Sequence, residues 1–388
     1  MKILYFIPHL RTGSGMGRVL NVKANYLAEV LGHEVTIITY RQFQDPVYFS
    51  YSDKVKMVHL DLDDPSFRLK ELGFFEKRKQ IQAFMLEYRE KVATYLQSNP
   101  TDICISMFLG AEYKFLTELK DGSKKIIEFH FNFDISPFRI FNQKKSLKNF
   151  RNFLQIKSLK KKVDRFDKLV VLTEEDAVAW RNYFQNIHVI TNPITINSEH
   201  INAPLKSKVA LAVGRLTKQK GFDYLIDAWK SVHENQPNWK LQIYGEGELK
   251  EALNRQIQKN GLEEVVEIKD PVKNIEQVYE QSSLFVLSSR FEGFVLSLLE
   301  AMSCALPVVS FDCKYGPTQL IQNGENGYLV PLGNPKILAE KILKVLSDES
   351  LRNSMGKSAK KTSRNYSVPS IMAEWDKLFL SLTQENQP

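Results

Sequence analysis

The chain has 388 residues, 43% hydrophobic and 25% charged, with a formal net charge of +8. That length suits two domains, and the composition is that of a soluble globular protein able to bury a sizeable core. No apolar run reaches membrane-span length, the start "MKILYFIPHL" is too short for a signal-peptide core, and the basic balance points to anionic partners: nucleic acid, phosphorylated small molecules or an anionic membrane.

The opening reads as strand, glycine-rich loop, helix and strand: "KILYFIP", "RTGSGMG", "RVLNVKANYLAEVL" and "HEVTIITY". This is a βαβ pattern. Strand-like runs recur at "VKMVHL", "DICISM", "KKIIEFHF" and "KLVVLT", with helical stretches between most of them. Such alternation predicts a parallel, doubly wound sheet. The polar stretch "HVITNPITINSEHINAPLKSK", with Pro193 and Pro204, reads as a linker. The alternation then restarts with "VALAVGRL", "WKLQIYGEG", "VVEIKDP", "LFVLSS" and "PVVSFD". The expected fold class is therefore α/β with two Rossmann-like domains, 1–200 and 201–365. A last segment, 366–388, is an amphipathic helix with apolar Ile371, Trp375, Leu378, Phe379 and Leu382, and it needs a surface to pack on.

Two places carry chemistry. In "VGRLTKQKGFDYLI" a strand ends at Gly214 and a helix begins near Gly221, with Arg215 and Lys220 between them. Ligands in open α/β sheets bind at the carboxyl ends of strands, and two cations there suit a diphosphate. A solvated basic loop is the plainer alternative. In "SSRFEGFVLSLLEAMSCALPVVSFD" a helix is expected from about Gly293, with free backbone amides at its start. Glu292 stands just before it, and Glu300 follows eight positions later, a little over two helical turns, so both can face one side. The alternative is that Glu292 caps the helix and Glu300 makes a surface pair. Val295, Leu298, Leu299 and Met302 mark the helix as mostly buried, where a lone Glu300 is costly without partners. Cations after one strand and two carboxylates after a later one describe a site for a nucleotide-diphosphate sugar.

Through "SGMGRVLNVKANYLAEVLGHEVTIIT", "GRLTKQKG", "EGFVLSLLEAMSCALPVV" and "YGPTQLIQNGENGYLV" the chain resembles the family 4 glycosyltransferases, retaining enzymes of the GT-B fold. The resemblance covers nearly the whole chain. It implies two domains facing a cleft, with the tail helix crossing back to the first. It implies that Arg215 and Lys220 bind the donor diphosphate, that Glu292 contacts the donor sugar and that Glu300 binds the ribose hydroxyls. The amides of Gly293, Phe294 and Val295 would lie near the phosphate and sugar, with Gly245 and Val272 bordering the base. Gly15 would approach the donor from the first domain. His130 matches a histidine found near the sugar, although by itself it reads as a satisfied core histidine. Glu292, His130, Arg215 and Lys220 are the candidate catalytic residues. The chain departs from the family at Gly17, commonly glutamate, and at Val295 and Ala305, commonly glycine.

A double displacement needs a carboxylate nucleophile beneath the anomeric carbon, and no clear candidate stands out. The resemblance therefore implies front-face departure, with the leaving diphosphate held by Arg215, Lys220 and the amides. No cofactor is expected, the donor being a UDP-sugar substrate. No metal is expected either: Asp61 and Asp63 in "DLDD" read as a loop before a helix, and the histidines show no ligand spacing. Cys104, Cys304 and Cys313 show no pairing or metal spacing and read as reduced thiols of a cytoplasmic protein. From Arg139 to Lys168, eleven Lys/Arg face two acidic residues, Asp164 and Asp167, with Phe138, Phe141, Phe150, Phe153 and Phe166 interleaved. This window reads as a peripheral face for an anionic membrane, as a solvated face, or as a nucleic-acid surface. No RNA motif accompanies it, and no nucleic-acid partner is expected.

The leading expectation is transfer of a hexose or N-acetylhexosamine from a UDP-sugar to a hydroxyl of a lipid-linked or other cell-surface glycan. The rivals are a sugar-nucleotide epimerase on the same fold and a binding protein without activity.

Overall fold

A computed structural model describes residues 1–68, 73–108, 110–142 and 150–384. The chain divides into two compact units, Met1–Thr191 with Val368–Pro388, and Asn192–Ser367.

The first unit contains β1 (Lys2–Ile7), α1 (Gly15–Glu29), β2 (Glu34–Thr39), β3 (Val55–His59), α2 (Phe74–Ser98), β4 (Ile103–Ser106), β5 (Lys124–Glu128), α3 (Phe150–Val163), β6 (Lys168–Val171), α4 (Glu174–Arg181) and β7 (Ile187–Val189). Its sheet has seven strands in the order β3-β2-β1-β4-β5-β6-β7, every neighbouring pair parallel. The second unit runs β8 (Val209–Val213), α5 (Phe222–Asn235), β9 (Lys240–Tyr244), α6 (Lys250–Lys259), β10 (Val266–Lys269), α7 (Ile275–Glu280), β11 (Leu284–Leu287), α8 (Leu296–Ser303), β12 (Val308–Asp312), α9 (Pro317–Leu320), β13 (Gly327–Pro331), α10 (Pro335–Ser347) and α11 (Glu349–Ser363). Its six parallel strands run β10-β9-β8-β11-β12-β13. Both orders step outward from the first strand on one side and then the other, the doubly wound pattern that leaves a switch point beside β1 and beside β8. The α/β, doubly wound expectation holds in both units.

The strands read as near-continuous apolar runs because helices cover both faces. In β1 every residue after Lys2 is buried. α5 shows the helical counterpart, with Phe222, Leu225, Ile226, Trp229 and Val232 buried at spacings of one, three and four. The first core is aromatic: Phe129 stacks on Trp180 with ring centroids 4.2 Å apart, and Phe108, Phe133 and Phe138 pack around them.

The last helix, α12 (Val368–Gln384), belongs to the first unit and packs against α1. Its buried side are Ile371, Met372, Trp375, Leu378, Phe379 and Leu382.

Some boundaries differ from the sequence reading. Residues 187–189 form β7 and not the start of a linker; the short run pairs with β6, and that partner decides its state. β13 was not expected as a strand; it is completed by pairing with β12. β5 ends at Glu128, so Phe129 to Phe131 turn out of the strand. Phe138 and Phe166, interleaved with cations in sequence, are core residues. The segment 143–149 of the basic window lies outside the described residues.

Candidate active site

The second unit brings together the loops that follow β8 and β11, neighbours in the sheet. After β8 the chain turns through Gly214 to Thr217 into a single helical turn, Lys218–Lys220, and then Gly221. Gly221 adopts φ 63°, and a Cβ there would stand 2.1 Å from the carbonyl oxygen of Ser288. No other residue allows this contact between the two loops.

The contact is reinforced on every side. Ser288 Oγ donates to the Lys220 carbonyl at 3.0 Å, and the Arg290 amide donates to Gln219 O at 2.7 Å. Arg290 Nη1 and Nη2 grip the Asp223 carboxylate at 2.8 and 2.6 Å, while its guanidinium lies 4.1 Å from the Tyr224 ring centroid. Hydrogen bonding and charge from Asp223 raise Arg290 above the ordinary arginine value. Asp223 itself falls below the usual carboxylate range: burial raises it, and Arg290 more than reverses this.

Glu292 sits in this clamp, 5% exposed. It accepts from Lys220 Nζ at 2.7 Å and from Ser289 Oγ, with Gln219 Nε2 3.5 Å from its second oxygen. The stem of Lys220 lies over Gly214, where an added Cβ would be 3.0 Å from Lys220 Cε. Arg215 is exposed and makes no ion pair among the described residues. The hydroxyl oxygen of Thr217, between the two expected diphosphate ligands, is buried without a protein partner.

The helix after β11 begins at Leu296, three residues later than expected from Gly293. Gly293 to Val295 form an irregular turn, with Val295 at φ −92° and ψ 87°. Glu292 therefore lies outside the helix and does not cap it; its carboxylate is drawn to Lys220 and Ser289 instead. Glu292 and Glu300 do not share a helix face, since Glu300 alone is on α8. The side chains of Phe294 and Val295 point into the protein, 8% and 2% exposed. Phe294 packs near the Tyr366 ring, and Gly316, at φ 95°, approaches the Gly293 carbonyl so closely that a Cβ would be 3.0 Å away.

Glu300 is 5% exposed, not a surface pair. Thr195 Oγ1 donates to one carboxylate oxygen at 2.6 Å and Tyr279 OH to the other at 2.9 Å. These are the partners a buried carboxylate requires. Gly245 closes against the Gly214 carbonyl, with 1.9 Å to a hypothetical Cβ, so the turn after β9 lies directly against the β8 loop. Val272 is 41% exposed beyond β10. Ala305, where the family has glycine, takes φ 65°, the left-handed conformation that glycine serves best.

Gly15 and His130 belong to the first unit. Gly15 is the first residue of α1, not part of the preceding loop, because Ser14 Oγ accepts from the Gly17 amide at 3.1 Å and starts the helix. His130 has a side chain 5% exposed and Nε2 3.1 Å from Glu128 Oε2. Asp61 and Asp63 are spent locally: Asp61 accepts from the Phe43 amide and Asp63 pairs with Arg68. Among the described residues no three His, Cys, Asp or Glu side chains cluster as metal ligands.

Residues 194–362 match the model of the family described as glycosyl transferases group 1. The matched segment is a little under half of the chain. The group 1 domain thus spans both strand-end loops, Glu292 and Glu300. An uncharacterised glycosyltransferase of Haemophilus influenzae is 27% identical over 96% of this chain and 98% of its own. The amylovoran biosynthesis glycosyltransferase AmsD of Erwinia amylovora is 36% identical over 54% of this chain, and the match spans 61% of AmsD, less than two thirds. A crystal structure of a variant of S. aureus TarM, in complex with fondaparinux, alpha-GlcNAc-glycerol and UDP, superposes with a TM-score of 0.74 at 19% identity, covering 98% of this chain and 100% of TarM. The fold is GT-B, with the group 1 domain as its second Rossmann-like unit.

The sequence singled out Arg215, Lys220, Glu292 and Glu300. The structure adds Arg290, Asp223, Ser289, Thr195 and Tyr279 as the residues that hold the two loops and the two carboxylates. Arg290 stood two positions before Glu292 in "SSRFEG", but its partner Asp223 is 67 positions away, beyond any local pattern.

Proposed function

We propose that the protein is a retaining glycosyltransferase that moves a hexose or N-acetylhexosamine from a UDP-sugar to a hydroxyl of a cell-surface glycan or glycopolymer, without a metal. The observation that carries this reading is the clamp of the β8 and β11 loops around the Lys220–Glu292 ion pair, with Arg215 exposed beside it. In this reading Arg215 and the Lys220 ammonium neutralise the donor diphosphate. Glu292, fixed by Lys220 and Ser289, accepts from sugar hydroxyls. Glu300, held by Thr195 and Tyr279, takes the ribose hydroxyls. The amides of Gly293 to Val295 add dipoles where charge develops on the leaving diphosphate. The uridine base lies toward Gly245 and Val272. Departure and attack occur on one face, and a diphosphate oxygen takes the proton of the incoming hydroxyl. The names of AmsD and the UDP and glycan ligands of TarM favour a bacterial polysaccharide or glycopolymer acceptor.

A lipid-linked acceptor would bring the protein to an anionic membrane surface. Leu154, Lys157 and Lys161 support this as an exposed stripe along one side of α3. Among the described residues no helix is long and apolar enough to cross a membrane.

Thermal-shift titration without metal against UDP, GDP, ADP and a panel of UDP-sugars tests the donor site. Stabilisation by UDP and one UDP-sugar is expected. No response to any nucleotide would refute the reading. Release of an epimer from donor alone, without acceptor, would favour an epimerase on the same fold.

A further inference from the structure

The carboxyl ends of β1 and β2, neighbours in the first sheet, lead into two loops that are tied to each other. The buried Gln42 side chain accepts from the Leu10 amide at 2.7 Å and donates to the Asp45 carbonyl at 2.8 Å. The Arg41 amide donates to Pro8 O at 2.9 Å, and the Tyr48 amide to Leu10 O at 2.8 Å. Arg11 Nη1 reaches Asp45 Oδ2 at 2.7 Å, and both of these side chains are partly exposed.

The ties hold aromatic rings at the surface. Tyr48 is 49% exposed, and its ring rests against the bare backbone of Gly13, where an added Cβ would stand 2.8 Å from it. Phe43 is 46% exposed and takes φ 52°. Its amide donates to Asp61 Oδ1 at 2.6 Å, and Asp61 itself takes φ 47°. A bulky residue keeps this left-handed conformation only where its surroundings impose it, and such strain gathers at ligand-binding segments. A ring fixed in this way packs on a ligand with little loss of conformational entropy.

Charge decides the class of ligand. Arg11 is answered by Asp45, and Arg41 by Asp64 at 3.6 Å, with Asp61 as a further carboxylate. His9, just past β1, is lowered by burial and then by Arg41 and Arg11, against Asp45, so its ring is neutral at pH 7. An anion would have to displace an aspartate from its arginine, and it gains little here. A neutral pyranose suits both parts. Its C–H face packs on an aromatic ring, while its hydroxyls accept from a guanidinium and donate to a carboxylate.

We propose that Tyr48 and the Arg11–Asp45 pair form a saccharide subsite on the first unit, and that its ligand is a neutral pyranose of the acceptor glycan. Its standing as the acceptor's subsite rests on the glycosyltransferase reading. The binding of a saccharide rests on the first unit alone.

The test is saturation-transfer NMR on the full chain without nucleotide, with glucose, galactose, N-acetylglucosamine and lactose as probes and inorganic phosphate as competitor. At least one sugar is expected to receive saturation, strongest on its ring C–H protons, and phosphate is expected not to displace it. Tyr48→Ala and Asp45→Asn are each expected to weaken that sugar at least about fivefold, and Tyr48→Phe to stay within about twofold, because the phenyl ring keeps the platform. The thermal midpoint of each variant, with and without UDP, shows that the fold and the second unit are intact. Silence from every sugar would overturn the proposal, as would displacement by phosphate. So would wild-type sugar affinity in Tyr48→Ala or, should that variant fail to fold, in Asp45→Asn. A chain that binds a sugar through Tyr48 but gives no midpoint shift with UDP would remove the glycosyltransferase reading and leave the saccharide subsite standing. A chain that responds to UDP but binds no sugar would remove the subsite alone.

Discussion

Lys220 and Glu292 are 72 positions apart in sequence and 2.7 Å apart in space. The pair joins the loops that follow two neighbouring strands, so neither charge acts alone. In the proposed reading Lys220 reaches the donor already oriented by Glu292. Lys220→Ala is expected to lower kcat/KM by about 10²–10³-fold, the size of a lost transition-state charge contact. Glu292→Gln is expected to raise the donor KM more than the acceptor KM, because it frees Lys220 as well as losing the sugar contact. Steady-state kinetics with both substrates varied checks both. A Lys220→Ala enzyme within threefold of wild type would show that Arg215 alone serves the diphosphate.

Glu300 has a structural role, as acceptor for Thr195 and Tyr279, and a proposed binding role, and the two can be separated. Glu300→Ala is expected to weaken UDP at least about tenfold and to lower stability by about 1–3 kcal/mol, since Thr195 and Tyr279 lose their acceptor. Tyr279→Phe is expected to lower the midpoint while leaving the UDP dissociation constant within about threefold. Calorimetry and thermal unfolding of both variants measure this. Unchanged UDP affinity in Glu300→Ala would rule out the ribose assignment.

Gly221 is the point where the two site loops touch, through the Ser288 carbonyl. Gly221→Ala meets both a left-handed φ of 63° and a backbone oxygen 2.1 Å from the new Cβ. Neither atom can move cheaply, so the loops must part. A loss of at least about 2 kcal/mol is expected, together with loss of nucleotide binding. Denaturant unfolding with and without UDP reports both effects.

Asp176 predicts a pH effect in the first unit. Burial pushes it up to about 6, against hydrogen bonds from the Phe133 amide and Trp180 Nε1. A folded value above the ordinary 3.8 means that the folded state holds the proton more tightly. This contribution to stability is fully present below about 4 and is lost as the pH rises through about 6. Buried Glu112, also raised by burial, acts in the same direction. In Asp176→Asn the fall in midpoint between about pH 4 and pH 6 is expected to be smaller than in wild type. Melting curves across that range measure the difference.

The basic window makes a separate prediction. Lys160 is paired with Asp164, and Lys162 donates to the Lys114 carbonyl, so neither is fully available to a membrane. Lys157 and Lys161 are exposed. Replacing both with glutamine is expected to weaken binding to anionic liposomes at low salt, each cation contributing about 1 kcal/mol. Sedimentation with anionic and neutral vesicles tests this, and equal binding to both would reject a membrane face.

Much of the fold was legible in the chain. Continuous apolar runs alternating with helix-period segments specify buried parallel strands, and the buried face of α12 was read correctly from Ile371 to Leu382. The runs that failed were short. β7 and β13 are three and five residues long, and each is an edge strand completed by pairing with its one neighbour, β6 or β12. Local pattern reports what a segment prefers, and the sheet edge decides what a short segment does.

The candidate site divides in the same way. Sequence alone determined which residue types stand at the strand ends: Arg215 and Lys220 after β8, Glu292 and Glu300 after β11. The tertiary structure decided their state. It moved the start of α8 to Leu296, left Glu292 away from the helix start and bound it to Lys220, and buried Glu300 between Thr195 and Tyr279. In the first unit it joined Arg11 to Asp45 and set Tyr48 on Gly13, across the loops that follow β1 and β2. A charge's partner is set by the crossing of distant chain segments, and spacing along the chain carries no record of that crossing.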